Sequence, residues 1–463
     1  MTARKNILFP VETITRELDS MLFLGVLCAR RDNRVFIGRH DVLMKLSHFL
    51  EGGVYMGKDA IRPRFTRNLK DHTTLKDRGF VFMHLDTEGA VYTGGEDDWR
   101  DSLKARLDPT VLSPRDFVLT WGDFQRDHYR SLKPLCAENI RTTGHPRFDL
   151  YKEAYRSYYA PQTRVLNERY GDFILINTNL ARANNKMGPG FVFSPSSGYH
   201  RNQPATRQET VEMWTYKTHV LTAFVQLVHR LNHEFPHTPI VVRPHPSEND
   251  DFYRLVFNGL ENVHVVYEGA VTPWLLACKI LIHDGCTTGL EAHFGDRKII
   301  NYKAAAADKH LDYYLPNLFG TTCHTEDEVL AGLETILSDG DIATTGADII
   351  DLKACRLLDN FHHDSFPRLL TLLDEAQDQV KQTKCPVPAV IQAEQGIHQG
   401  VETLKGIVRP FFPAWNQHAI YSRHKFPGLE MNDIGDRLAR IAEVTRNRVS
   451  YTLFSKHLLM LER

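Results

Sequence analysis

Four short apolar runs in this chain each end in residues that can hold or move charge. FVFMHL is followed by Asp86, Thr87, Glu88 and Gly89, and FILI by Asn177, Thr178 and Asn179. IVV runs into Arg243, Pro244, His245 and Pro246, and ILIH into Asp284, Gly285, Cys286, Thr287 and Thr288. A carboxylate at a strand end can act as a general base on a hydroxyl or as a nucleophile, which makes Asp86, then Glu88, the catalytic candidates. Asp and Gly are also ordinary β-turn residues, so a plain turn competes with that reading of DTEG. The prolines around His245 keep the backbone extended and present the imidazole and the Arg243 fork at fixed positions, an arrangement that suits a phosphate. A structural turn with a partly exposed histidine accounts for RPHPSE equally well. In the ILIHDGCTTGLEA segment a glycine turn leads into a helix start, whose free N–H groups and dipole favour an anion. Thr287 and Thr288 add hydroxyl donors, and Glu291, a turn further on, can accept from ribose hydroxyls. An N-cap without any ligand uses the same residue types. Asn177, Asn179 and Asp284 complete the set of cleft candidates.

Ligands of open parallel sheets bind beyond the carboxyl ends of the strands. The four runs come from both halves of the chain, which is the layout expected of an active site between two domains. The elements needed to build it are legible. NILFP, RVFIG, GVYMG, GFVFMHLD and DFVLTWG read as strands in the first third, with helices from Arg16 to Arg31 and from Val42 to Leu50. The alternation restarts after a polar connection from Asp149 to Tyr170. DFILINTN, PIVVRPHP, NVHVVYEG, KILIHDG and RKIINY are strand-like, Glu209 to Glu234 is a long amphipathic helix, and Thr325 with Glu328 forms a capping box. The Gly- and Pro-rich stretch 181–207 reads either as a lid or acceptor loop or as disorder. Strands separated by helices imply crossovers and a parallel sheet in each half.

Length sets the domain count. A chain of 463 residues exceeds what one core supports, so two domains plus an appendage are expected. The boundaries fall at 1–160, 161–380 and 381–463, the last predicted to be helical and packed back on the others. With 42% hydrophobic and 24% charged residues the composition is that of a globular protein. A formal net charge of -1 argues against general affinity for nucleic acid or anionic membrane. Seven scattered cysteines without a CxxC pair argue against zinc sites and redox dithiols and fit a reducing compartment. The first residues do not read as a signal peptide, and no segment has the roughly 20 apolar residues of a membrane span. The expectation is a cytoplasmic protein, at most peripheral to the inner face of the membrane.

PVETITRELDS, GGVYMGK, HLDTEGAVY, TGHPRFDLY, ILINTNL, RPHPSE, VTPWLLACKILIHDGCTTGLEA and HKFPGL follow one another from Pro10 to Leu429. In that order they resemble the bacterial surface carbohydrate biosynthesis proteins, a GT-B group related in layout to capsule ulosonic-acid (Kdo-type) transferases. The resemblance implies an α/β chain with two Rossmann-like domains facing across a cleft. It implies that His245, positioned by Pro246, binds the nucleotide phosphate, with Cys286, Thr287 and Thr288 near the same phosphate. It also implies an acidic catalytic residue in the first domain, Asp86 or Glu88. Thr87 stands where a second acid is common, which weakens a two-acid mechanism, and His145 stands where Asn is common; neither departure affects the fold expectation.

The expected function is glycosyl transfer from a CMP-activated, Kdo-like or nonulosonic sugar to a surface glycan or glycolipid, without metal or other cofactor. A UDP-sugar transferase or CDP-glycerol-type glycerophosphotransferase is the alternative among enzymes. A non-catalytic glycan-assembly protein is the alternative outside them.

Overall fold

A computed structural model describes residues 4–58, 66–305, 311–338, 352–381, 383–408, 422–423 and 425–463. His424 of the HKFPGL segment therefore lies outside the described residues. The strands of the first half are β1 (Asn6–Pro10), β2 (Arg34–Gly38), β3 (Gly53–Met56), β4 (Phe80–Leu85), β5 (Phe117–Thr120) and β6 (Ile140–Thr142). Those of the second half are β7 (Ile174–Asn177), β8 (Ile240–Arg243), β9 (Val263–Val265), β10 (Ile280–His283), β11 (Lys298–Tyr302) and β12 (Thr321–Cys323). Near the end of the chain follow β13 (Ser450–Ser455) and β14 (Leu458–Glu462).

The chain folds as two compact α/β units. The first consists of Met1–Ala90, Arg100–Tyr158 and Leu352–Arg463, the second of Val91–Trp99 and Tyr159–Asp351. Residues 352–380, grouped with the second half on sequence, thus pack with the first. They do so through the helix Ser365–Asp378, whose Phe366 ring stacks on Phe23. Asp149 of the TGHPRFDLY segment anchors that helix. Its carboxylate is fully buried and accepts the backbone N–H groups of Ser365 and Phe366 at 2.7 and 2.9 Å.

The sheet of the second unit has the order β12-β11-β10-β7-β8-β9, parallel throughout. Counted from β7, this is the Rossmann order 3-2-1-4-5-6, whose switch point lies between the first and fourth strands, here β7 and β10. Ile174, Ile176, Ile240, Val242, Ile280 and Ile282 point to one face, where they pack on Val220, Phe224, Leu227 and Leu231 of the helix Pro204–Glu234. The stretch 181–207 is a succession of turns with a short helix at Pro189–Val192. The expected capping box closes on itself, Thr325 and Glu328 each accepting the other's backbone N–H at 3.2 Å.

The first unit's sheet runs β13-β14-β2-β1-β3-β4-β5-β6. Strands β1 to β6 are parallel in the order 2-1-3-4-5-6, so the winding direction reverses between β1 and β3. The expectation of an all-helical tail needs correction here. Residues Pro388–Val408 and Met431–Thr445 are helical, but the chain then forms the β13–β14 hairpin, and β14 pairs antiparallel with β2. Gly38 makes the join possible, because a Cβ on it would lie 2.2 Å from the His457 carbonyl oxygen.

Candidate functional site

In the second unit the strand alternation that sends isoleucines into the core sends the next residue to the opposite face. Register places four such residues at one level. Asn177 stands opposite Arg243 on one side and His283 on the other, and His283 stands opposite Asn301. A buried polar row Arg243–Asn177–His283–Asn301 therefore crosses β8, β7, β10 and β11 at their carboxyl ends.

Asn177 holds the middle of that row, at the switch point. It is 3% exposed, and neither its amide oxygen nor its amide nitrogen has a hydrogen-bond partner among the described residues. Leaving a buried polar group unsatisfied costs about 1–3 kcal/mol, so this position calls for a ligand or an ordered water. Asn179 is half-buried two residues on. Arg243, by contrast, donates to the Glu268 and Gly269 carbonyls at 2.8 and 3.2 Å and lies over the Trp274 ring. Its fork is directed at its own unit's backbone.

The RPHPSE loop is organised by a residue without an assigned role in the sequence, Glu248. Its buried carboxylate accepts from the Thr178 hydroxyl, from the backbone N–H groups of Leu180 and His245 at 3.0 Å, and from the Tyr253 hydroxyl. It thereby ties the loop after β7 to the loop after β8. His245 is half-buried, and its Nδ1 accepts the Ser247 N–H at 3.1 Å. In the neutral ring this leaves Nε2–H as the donor. Pro246 sits half-buried beside it.

After β10, Asp284 does not present itself to a ligand. It is buried between Lys217, at 2.9 Å, and Lys303, at 3.4 Å, and the two lysines hold its carboxyl below the usual range against the opposing effect of burial. Gly285 then adopts φ +64°, where a Cβ would stand 2.7 Å from the Tyr313 ring. The helix Thr287–Phe294 starts from Cys286, whose backbone N–H donates to His283 Nδ1 and whose Sγ meets the Thr288 hydroxyl. Burial, then Lys303, pushes the His283 imidazole down to about 3, so it is neutral. Thr287 and Thr288 are half-buried at the helix start, and Glu291 is buried one turn in.

The first unit carries its own cluster beyond the carboxyl ends of β1 and β3, where the winding direction reverses. Lys58, after β3, is paired with Glu12 at 2.6 Å and Glu17 at 3.3 Å, and it donates to the Thr87 hydroxyl at 2.8 Å. Arg16 joins Glu17 to Glu88, and Arg106 joins Glu88 to Asp86 at 3.4 and 3.1 Å. The Trp121 indole N–H donates to the Asp86 carbonyl oxygen, and the His145 ring lies 4.9 Å from that indole. A cavity of about 20 Å³ opens among Glu12, Glu17, Ser20, Lys58, Thr87 and His145, room for about one water-sized group. His145 Nδ1 accepts the Arg147 N–H, while Nε2 is buried without a partner among the described residues. Burial pushes the Glu88 carboxyl up, but Arg16 and Arg106 outweigh it and hold it well below the usual range.

The structure thus gathers Asn177, Asn179, His245, Pro246, Cys286, Thr287, Thr288 and Glu291 on the carboxyl edge of the second sheet, and Asp86 with Glu88 on that of the first. Sequence reasoning missed Lys58, Glu17, Arg106, Lys217, Lys303 and Glu248. Lys58 and Glu17 lie in the GGVYMGK and PVETITRELDS segments, whereas nothing local marks Arg106 or Lys303. Among the described residues no group of three or more His, Cys, Asp or Glu side chains is arranged to hold a metal ion. No described helix is long and apolar enough to cross a membrane.

No protein family and no curated protein sequence matches the chain. Similar solved structures include UDP-GlcNAc 2-epimerase from Methanocaldococcus jannaschii in complex with UDP-GlcNAc and UDP. It is 10% identical with a TM-score of 0.47, over 80% of this chain and 99% of that one. The wall teichoic acid polymerase TagF is also similar, at 10% identity and TM-score 0.46, over 82% and 90%. So is UDP-GlcNAc 2-epimerase from Neisseria meningitidis bound to UDP-GlcNAc, at 9% and 0.45, over 80% and 100%. Likeness at this level assigns no activity.

Proposed function

We propose that the chain is a GT-B-type transferase of surface-glycan assembly, with the donor nucleotide bound on the second unit. The observation that carries this is Asn177, a buried amide without partners at the switch point of a Rossmann-order sheet. His245 stands to one side of it, after β8, and the hydroxyl-bearing helix start stands to the other, after β10. Those two anion-binding features are two strand spacings apart, about 9–10 Å. A diphosphate with its ribose spans that distance better than one phosphate does. This favours a UDP-sugar or CDP-glycerol-type donor over the CMP-activated Kdo-like sugar expected from the sequence.

His245 Nε2–H and the N–H and hydroxyl groups of Thr287 and Thr288 are assigned to the phosphates, and Glu291 to the ribose. The reading invokes no metal or cofactor. Asp86 is the proposed general base or nucleophile, with Glu88, which Arg16 and Arg106 hold well below the usual carboxylate range, second. The acceptor is a glycan or glycolipid, and the proposed setting is the cytoplasm, at the inner face of the membrane.

The test is thermal unfolding against CMP, CDP, UMP, UDP and GDP. A ligand at a hundredfold excess over its Kd stabilises by about 2.7 kcal/mol. UDP or CDP is expected to raise Tm, and Asn177→Ala and His245→Ala to abolish the shift. A shift with CMP alone restores the CMP-sugar reading. No shift with any nucleotide refutes nucleotide-dependent transfer and leaves a non-catalytic assembly role. Asp86→Asn with wild-type turnover would remove Asp86 from the chemistry.

A further inference from the structure

A second, larger cavity lies in the first unit, of about 660 Å³, within the usual size range of small-molecule sites. Three features make it. The helix Ile14–Ala29 ends at Arg30, the helix Met431–Thr445 ends at Arg446, and the chain passes through Arg448 into β13. The hollow exists because the second helix turns small residues toward it. Gly435, Ala439 and Ala442 recur at helical spacing, and Tyr451 spans the gap with its hydroxyl 2.9 Å from where a Cβ on Gly435 would stand. Leu438 and Val449 complete an apolar floor.

The rim carries the chemistry. Arg30, Arg446 and Arg448 line the cavity, and none of the three has an ion pair or side-chain hydrogen bond among the described residues. Neighbouring basic side chains are engaged: Arg31, just past the first helix, with Asp374, and Arg437, on the second, with Asp19 and Asp433. Cations at helix C-termini meet the helix dipole, which accounts for Arg30 and Arg446. It accounts neither for Arg448, which lies beyond the helix, nor for the hollow beneath. Arg446 also occupies φ +58°, a region where glycine would sit without strain. Glu443 is the lone carboxylate of the lining. Three arginines and an apolar floor lining one cavity suit a phosphate, whose oxygens accept bidentate bonds, joined to a carbon skeleton that covers the floor.

We propose that this cavity is a binding site for a phosphate ester, separate from the nucleotide site of the second unit. The phosphate contacts Arg30, Arg446 and Arg448, and the organic part rests on Leu438, Ala442 and the Tyr451 ring. Such a site suits a phosphorylated sugar or polyol, free or as a lipid headgroup.

Titration calorimetry of the full chain with glucose 1-phosphate and with inorganic phosphate tests this. Saturable binding of the ester is expected, tighter than that of inorganic phosphate. Arg446→Gln combined with Arg448→Gln is expected to weaken it about tenfold or more, the loss of at least one charge-assisted hydrogen bond. Arg31→Gln, on the same surface but outside the cavity, and Asn177→Ala are expected to bind as the wild type does. Displacement of the ester by phosphatidylglycerol vesicles assigns the ligand to a lipid headgroup, and absence of displacement assigns it to a soluble ester. The proposal is overturned by any of four results: no binding up to about 10 mM, equal affinity for inorganic phosphate, an unaffected double variant, or loss of binding in Asn177→Ala. The arginines are exposed, so the variants fold, and Ala442→Trp provides an independent check by filling the floor while leaving all three charges.

Discussion

Replacing Lys217 by Met should destabilise the protein by about 3 kcal/mol. The Lys217 ammonium lies 2.9 Å from Asp284, and both side chains are only 3% exposed. At an effective dielectric of about 20 their attraction is about 6 kcal/mol, most of which offsets the desolvation of the two groups. Removing one partner leaves the other's desolvation uncompensated, typically 3–5 kcal/mol. Lys303, 3.4 Å from the other Asp284 oxygen, retains part of the compensation and places the expected loss near the lower end, about 3 kcal/mol. The combination of Lys217→Met with Asp284→Asn removes both charges and should be less destabilised than Lys217→Met alone, by about 1–2 kcal/mol. Urea unfolding of the four proteins of this cycle, followed by tryptophan fluorescence, gives the coupling energy. A Lys217→Met loss below about 1 kcal/mol, or strict additivity of the two changes, would refute the view that this buried pair holds the turn after β10.

Three further tests concern stability. His283 is buried and neutral with its imidazole near 3, so the unfolded chain binds the extra proton once pH drops below about 6.5. Its contribution is complete above that value and is lost at about 1.4 kcal/mol per pH unit as pH falls toward 3; urea midpoints at pH 7.5 and 5 should therefore differ less in His283→Gln than in the wild type. Gly38→Ala places a methyl group against the His457 carbonyl and should lower stability by about 1–3 kcal/mol, read as a drop in Tm; an unchanged Tm would mean the hairpin shifts freely. Deleting residues 448–463 uncovers the β2 edge and should produce concentration-dependent aggregation in light scattering, where a monomeric truncated chain would count against the edge-covering role.

Much of this architecture could be read from short apolar runs because parallel strands buried on both faces look that way in sequence. FVFMHL, IVV and ILIH announced both the strands and the rim they serve, and TEDE announced a helix start through local hydrogen bonds alone. What stayed hidden depends on distance along the chain. Lys217 lies on the apolar stripe of its helix, between Met213 and Val220, which marks a buried partner but not that Asp284 supplies it. Asp284 and Arg243 looked available because strand ends face a crevice, yet their partners, Lys303, Glu268 and Gly269, come from other loops. The LLML run near the end reads as helical from sequence because its strand character depends on pairing with β2, more than 400 residues earlier. His145 appeared only as a departure from a family pattern, and its unpartnered Nε2 emerges once Trp121 and Lys58 are placed around it.

The hairpin that completes the first sheet also imposes an order on synthesis. Apart from Val91–Trp99, which is made earlier, the second unit is the stretch Tyr159–Asp351, and all of its parts have left the ribosome before the first unit's last segment has. The other unit is divided, and its β2 edge waits for β14. Between the emergence of Tyr158 and that of β14 the ribosome adds about 300 residues, roughly 15 to 60 s at ordinary elongation rates. Throughout that interval a strand edge rich in Val, Phe and Ile lacks its native partner, the kind of edge that templates pairing with another chain.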